Sequence, residues 1–260
     1  MTASAESPNE ETPSLARADM MGDYLGQFNK MFDEEKEPKQ FAILFANRIG
    51  SRYFLANLKT MHEIDRLCRE MDSVLDEFPG KNFGLIKLLT IEHLAISMKL
   101  YVISWSTLLD LLACLINSVF NLGIADRDIK LQLIRRNSHV KSSRIHQLLM
   151  GYEKTLLIEN LREKRNNLVH RGKIPDEEVE QILVERNEID SRRYSFFQKN
   201  PISETEHKKD LSLLQERLAG LAKMKQDEWR KHHQQTIAML STISGELMLK
   251  TVELYKKQVI

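Results

Sequence analysis

The residues best suited to chemistry lie in one stretch, 161–172, which reads LREKRNNLVHRG. Four residues separate Arg165 from His170, and Asn166 directly follows the arginine. An imidazole can take up or release a proton near neutral pH, and a guanidinium carries a permanent charge that suits a phosphate. The pair therefore suits acid–base chemistry on a phosphodiester, with Arg165 and His170 as catalytic residues and Asn166 as a positioning residue.

A helix would hold these side chains in a defined arrangement. Arg162, Asn166 and His170 are each one helical turn apart, so they share one stripe. Leu161 and Leu168 are spaced to face a core, so packing would fix the polar stripe. We therefore expect the stretch to form the last part of a packed helix.

This segment resembles the signature of the HEPN domain, a family of helical bundles. That signature is an arginine, four to six residues and a histidine, often with a polar residue directly after the arginine, late in a helix that follows two long antiparallel helices. The resemblance covers roughly 40–172 and leaves 176–260 unexplained. It implies an antiparallel helical bundle.

The resemblance also implies an activity. Two copies of the chain would bring their motifs together in one composite site at a homodimer interface. The RNA 2′-hydroxyl would attack the adjacent phosphate and leave a cyclic phosphate end, with no metal ion or other cofactor. Family members of this kind act as toxins or in defence against foreign RNA, which would add an antitoxin or regulatory protein to the partners.

Two other interpretations stay open. Some members of the family are non-catalytic and only bind RNA or a protein. An arginine, an asparagine and a histidine before a glycine also occur at ordinary exposed helix ends, where positive charge complements the helix dipole.

Several further residues are predicted to support the site. Asp110 is a lone carboxylate in an apolar helix, so we expect it to pair with Arg165 or to orient His170. The alternatives are a different basic partner or a solvated position at the rim. Arg162 is a supporting residue on the motif stripe. The predicted RNA contacts are the basic residues that flank the motif, Lys164, Arg171 and Lys173.

Composition supports long helices in a soluble protein. The 260 residues include only 10 glycines and 6 prolines, so few turns are expected. The net charge is +1, so a site for a polyanion must be a local patch. Two cysteines and no secretory signal favour a reducing, cytoplasmic setting.

Helical periodicity divides the chain into expected elements. The predicted parts are a disordered tail at 1–14, a short helix and charged linker at 15–38, a bundle at 39–175 and a helical C-terminal extension packed on it at 176–260. Within these we expect helices at 39–77, 84–121, 127–136, 143–171, 176–188, 206–224 and 226–257, with a loop at 137–143. Gly172 is a natural left-handed stop for the motif helix. Leu55 is among the predicted core residues of the first long helix.

Three features have competing interpretations. Residues 100–120 are apolar enough for a membrane span, but Asp110 at their centre favours a helix inside a bundle and no membrane contact. The basic runs 135–141 and 192–199 could bind RNA, although solvated loops are the more common case. His232 and His233 are adjacent on a helix, so their rings should diverge and a metal site there is not favoured.

Overall fold

The computed structural model describes residues 22, 48–78, 90–154, 156–194 and 202–259, and within these ranges the chain is helical and contains no strand. Eight α-helices follow one another: α1 (Arg48–Asp76), α2 (Thr90–Val119), α3 (Leu131–Arg136), α4 (Ser138–Lys141), α5 (Arg144–Glu153), α6 (Leu156–Arg171), α7 (Glu177–Tyr194) and α8 (Glu204–Val259). A 3₁₀ turn at Asp126–Asp128 precedes α3. The predicted all-α class is therefore confirmed.

Some predicted elements lie outside the described residues. These are the tail at 1–14, the short helix and linker at 15–38 apart from Gly22, the first residues of the two long helices (39–47 and 84–89), and most of the second basic run, 195–199.

The two long helices α1 and α2 form an antiparallel pair. Ser118 near the end of α2 donates a hydrogen bond to Asn57 near the start of α1, at 2.7 Å. At the opposite end, His93 of α2 lies 3.9 Å from the Glu77 carboxylate that follows α1. Each helix buries one apolar face against the other, with residues such as Met61 and Leu108 fully enclosed.

The long helix α8 passes through the middle of the molecule. Its interior residues Trp229, Leu240 and Leu247 belong to the same hydrophobic core as α1 and α2. It runs antiparallel to α1, because Gln226 reaches the Leu75 carbonyl while His233 reaches Asp72. One continuous core thus includes residues on both sides of position 175.

A chain of hydrogen bonds crosses this core. Trp105 Nε1 donates to Tyr152 Oη at 2.9 Å, and Tyr152 Oη lies 2.8 Å from Thr236 Oγ1. The Thr236 hydroxyl donates to the His232 carbonyl oxygen, so the proton between the two hydroxyls comes from Tyr152. Three helices distant in sequence are fixed in register by this chain, and burial raises the pKa of Tyr152 to about 12.

Tyr101 adds a second polar contact in the same region. Burial holds the pKa of the Tyr101 hydroxyl well above its ordinary value, so the hydroxyl keeps its proton, and it shares a hydrogen bond with His232 Nδ1 at 2.9 Å. The Tyr101 ring also packs on Trp229, with ring centroids 4.9 Å apart. Hydrogen bonds between side chains of different helices in a packed core favour one arrangement of those helices.

Three predicted helix boundaries were wrong. The helix expected at 176–188 continues to Tyr194, so the first part of the segment expected to be irregular is helical. The expected single helix at 143–171 is two helices, because α5 ends at Glu153 and α6 begins at Leu156. The apolar spacing continues across this break, so periodicity does not reveal it. The expected pair at 206–224 and 226–257 is one helix of 56 residues, because 225 and 226 carry helix-compatible side chains with partners in the bundle.

Smaller differences also follow from packing. Leu55, predicted in the core, is 62% exposed on the outer side of α1. The predicted helix at 127–136 is a 3₁₀ turn and the short helix α3, and the predicted loop at 137–143 contains α4, which Asn137 caps by accepting from the His139 backbone N–H.

The apolar helix was correctly placed inside the bundle. One helix in the described part of the chain, Ile91–Val119, is long and apolar enough to cross a membrane, and its side chains pack against α1 and α8. Cys68, on the α1 face beside it, is buried, which raises the pKa of its thiol to about 12.

Candidate functional site

The motif occupies the C-terminal half of α6, as predicted. Leu161 is buried and Leu168 is partly buried against the core, so the apolar side of α6 is anchored. The helix ends at Arg171, and Gly172 follows with a φ of +64°. Its N–H donates to the Leu168 carbonyl at 3.0 Å, which satisfies one of the last carbonyl groups of the helix.

The three motif side chains face outward to different degrees. His170 and Asn166 are exposed, while Arg165 is partly buried. Arg165 Nη1 approaches Asn166 Oδ1 at 3.5 Å, a long hydrogen bond that links neighbouring side chains. His170 lies one turn beyond Asn166 on the same stripe, where a substrate can reach its ring.

Arg165 and His170 do not share a face of α6. Positions five apart on a helix with 3.6 residues per turn project about 140° from each other around its axis. Arg165 is directed toward α2, whereas His170 opens to solvent. One copy of the chain therefore presents the guanidinium and the imidazole in different directions.

Asp110 lies near Arg165, although it is more exposed than expected. Helix α2 packs on α6, and Asp110 sits on the outer side of α2. Partial burial among leucines raises the pKa of the Asp110 carboxyl, and the charge of Arg165 opposes that rise. No ion pair within 4.0 Å involves Asp110 among the described residues, so the two groups interact through space.

Arg162 and Lys164 are drawn into the bundle. Arg162 is partly buried, and its charge lowers the pKa of the Tyr152 hydroxyl against the dominant effect of burial. Lys164 Nζ lies 3.6 Å from the Asp176 carboxylate and 5.3 Å from the centroid of the Trp229 ring. The structure therefore gives Lys164 partners inside the protein, apart from the outward face of the motif.

The remaining predicted contacts are on the surface. Arg171 ends α6 and Lys173 follows Gly172, and both side chains are exposed. Together with His170 they form a positive edge at the end of the helix. Asp176 on the next turn is enclosed by Lys164 and Lys225, so its charge is neutralised locally.

Two features escaped prediction from the motif alone. Asp176 caps α7 by accepting from the Glu178 and Val179 N–H groups, at 3.2 and 3.3 Å, and its carboxylate also binds the two lysines. His232 and His233 are both buried, and each faces the Tyr101 ring edge-on. An acidic residue after a proline signals the cap, but the histidine environment depends on contacts far apart in sequence.

The described ranges contain no group of three or more His, Cys, Asp or Glu side chains placed to hold a metal ion. The chain matches no family model, and no curated protein or solved structure is significantly similar to it.

Proposed function

We propose that this protein is a metal-independent endoribonuclease of the HEPN type, active as a homodimer. The observation that carries the proposal is the end of α6, where His170 is exposed at a fixed helix stop and Arg165 is held beside Asn166 and Asp110. An exposed imidazole and an oriented guanidinium are the two groups that this chemistry needs.

In the proposed reaction the RNA supplies the nucleophile. The 2′-hydroxyl oxygen attacks the adjacent phosphorus, its proton goes to a base, and the bond to the 5′-oxygen of the next nucleotide breaks as that oxygen gains a proton. The products are a 2′,3′-cyclic phosphate and a 5′-hydroxyl. His170 transfers protons, and Arg165 stabilises the charge that builds on the phosphate oxygens.

A second copy of the chain would complete the site. Because Arg165 and His170 point about 140° apart on one helix, a phosphate bound to one group leaves the other unused. A group from a second copy can supply what is missing on each side. Arg171 and Lys173 are the proposed phosphate contacts, and Lys164 keeps its place beside Asp176.

The test is RNA cleavage in the presence of EDTA by the intact chain and by His170→Ala. We expect cleavage by the intact chain, cyclic phosphate ends, no cleavage of an all-deoxy strand, and at least a hundredfold loss in His170→Ala. The matched control is His62→Ala, which removes another exposed histidine, on α1, and should leave the rate unchanged.

Equal cleavage by the intact chain and His170→Ala, or none by either, contradicts the nuclease. RNA retained without cleavage would instead indicate the non-catalytic binding module. The proposed role as a toxin or defence effector rests on the family resemblance alone. The same holds for the proposed antitoxin or regulatory partner.

A further inference from the structure

The outer face of α2 carries a regular set of exposed side chains. Between Ile91 and Val119, every residue that is exposed falls in one series with alternating steps of three and four. The members are His93, Ile96, Leu100, Ile103, Thr107 and Asp110. This face is named the outer stripe.

The centre of the outer stripe is apolar. Ile96 is 54% exposed, Leu100 49% and Ile103 48%. A mean spacing of 3.5 residues is typical of the seam along which two long helices pack side by side. A solvated helix face has the same spacing, but it does not require three large aliphatic residues at successive positions of the series.

We propose that a second copy of this chain packs its outer stripe against this one, with the two α2 helices antiparallel. The series is symmetric about the midpoint between Leu100 and Ile103. In the antiparallel arrangement Leu100 meets the partner's Ile103, Ile96 meets the partner's Thr107, and His93 meets the partner's Asp110. The same contacts repeat on the other side of the two-fold axis, which is the condition for a closed dimer.

The side chains at the two ends of the outer stripe, His93 and Asp110, favour the antiparallel direction. A parallel pair would set Asp110 against the partner's Asp110, and like charges at contact oppose association. The antiparallel pair sets a carboxylate against an imidazole. Among the residues that the structure describes, His93 pairs with one carboxylate, that of Glu77 at 3.9 Å. Beside the stripe, Lys99 would face the partner's Ser106, so no like charges meet there.

This pairing determines which residue the second copy adds to the proposed active site. The stripe from His93 to Asp110 is about 26 Å long at 1.5 Å per residue, so the two Asp110 residues lie at opposite ends of the seam. Each Asp110–Arg165 site then has the partner's His93 beside it. This consequence rests on the proposed function, whereas the seam itself does not.

Sedimentation equilibrium of the full chain tests the seam independently of catalysis. We expect a dimer, and we expect Ile103→Glu to raise its dissociation constant by more than about tenfold. The melting temperatures of the two chains should be the same at a concentration low enough for both to be monomeric. Leu213→Glu is the matched control, because Leu213 is 53% exposed on α8 and away from the stripe. It should leave the dimer intact.

The seam is wrong if the intact chain stays monomeric at high micromolar concentration, or if its dimer is indifferent to Ile103→Glu. A monomer that Ile103→Glu destabilises would show that the chain covers this face itself, which also overturns the proposal. His93→Asp should weaken the dimer, and adding Asp110→Lys to it should restore the affinity. Loss of affinity in both would contradict the charge pairing.

Cross-linking determines the direction. In a Cys114→Ser background, a mixture of Ile96→Cys and Thr107→Cys chains should form the mixed disulfide, because these positions are opposed in the antiparallel pair. Thr107→Cys alone should not cross-link, since its two copies would be about 16 Å apart along the helices. A disulfide from Thr107→Cys alone would indicate parallel pairing and overturn the proposed direction.

Discussion

At the end of α6 a single glycine sets where the helix stops and therefore where the His170 ring is held. Gly172 has a φ of +64°, a region that side chains with a Cβ rarely adopt. A Cβ added there would meet no atom within 4 Å, so the cost of substitution comes from the backbone alone. The residue thus links a local backbone preference to the placement of a proposed catalytic group.

We expect Gly172→Ala to reduce the free energy of unfolding by about 1 kcal/mol, because alanine disfavours the left-handed conformation. Gly220→Ala is the matched substitution inside α8, also with open space around the new Cβ, and should increase stability by up to about 1 kcal/mol. Urea denaturation of the three chains measures both changes. The same sign for both would show that the conformation at 172 has no part in stability.

At the residue scale the sequence predicted what depends on near neighbours. The motif, the anchoring by Leu161 and Leu168 and the stop at Gly172 all follow from spacing within about two turns. The partners of Lys164 did not, because Trp229 and Asp176 reach it through tertiary packing. A lysine beside a motif looks like a phosphate contact until the neighbouring helices are known.

Between elements, Asp176 fastens α7 to both α6 and α8. Its side chain is 4% exposed, caps α7 and lies 2.9 Å from Lys225 and 3.6 Å from Lys164. Burial lowers the pKa of Lys225, but its hydrogen bonds to Asp176 and Glu178 outweigh this and raise the pKa overall. One carboxylate therefore satisfies two partly buried ammonium groups and a helix terminus.

Removing that carboxylate should be costly. We expect Asp176→Ala to lower the free energy of unfolding by about 3 kcal/mol, because it removes the carboxylate beside Lys164, leaves Lys225 with only the exposed Glu178 and leaves α7 uncapped. Asp176→Asn should cost less, since an amide oxygen still caps the helix. Glu178→Gln, at an exposed contact with the same lysine, should cost less than about 1 kcal/mol. Thermal denaturation of the three variants tests this order, and equal losses would contradict it.

Element boundaries show where sequence patterns stop being informative. The apolar positions of α5 and α6 remain in helical register across the break that follows Glu153, so the pattern predicts one helix. Around 225 the pattern weakens, yet Lys225 and Gln226 have partners on other helices that favour continuation. In both cases tertiary contacts, rather than intrinsic propensity, determine the boundary.

Across the whole molecule, the buried histidine on α8 makes stability depend on pH. Burial, with a smaller effect of the His233 charge, lowers the pKa of His232 to about 3, from an ordinary value of 6.5. Between pH about 3 and 6.5, His232 therefore binds a proton in the unfolded chain and not in the folded chain. The stabilisation is fully present above pH about 6.5 and is lost progressively as the pH falls toward 3.

Because of His232, we expect the free energy of unfolding to decrease by about 1 kcal/mol for each unit by which the pH is lowered from about 5.5 to about 4. In His232→Asn the side-chain amide can replace Nδ1 as the hydrogen-bond partner of Tyr101 without taking up a proton, so the slope should be smaller. His62→Asn, at an exposed position of α1, is the control and should keep the slope of the intact chain. Urea denaturation across this pH range measures the free energy of unfolding of the three chains. Equal slopes against pH for all three would show that His232 is not the cause of the pH dependence.

The central position of α8 has a consequence for biosynthesis. Trp229 packs on Phe78, which follows α1, and on Tyr101 of α2, and Leu240 and Leu247 belong to the same core. All three leave the ribosome well after the motif does. The nascent chain must therefore carry uncovered apolar faces while these last residues are translated. Chaperones that bind exposed apolar surface have that interval in which to engage it.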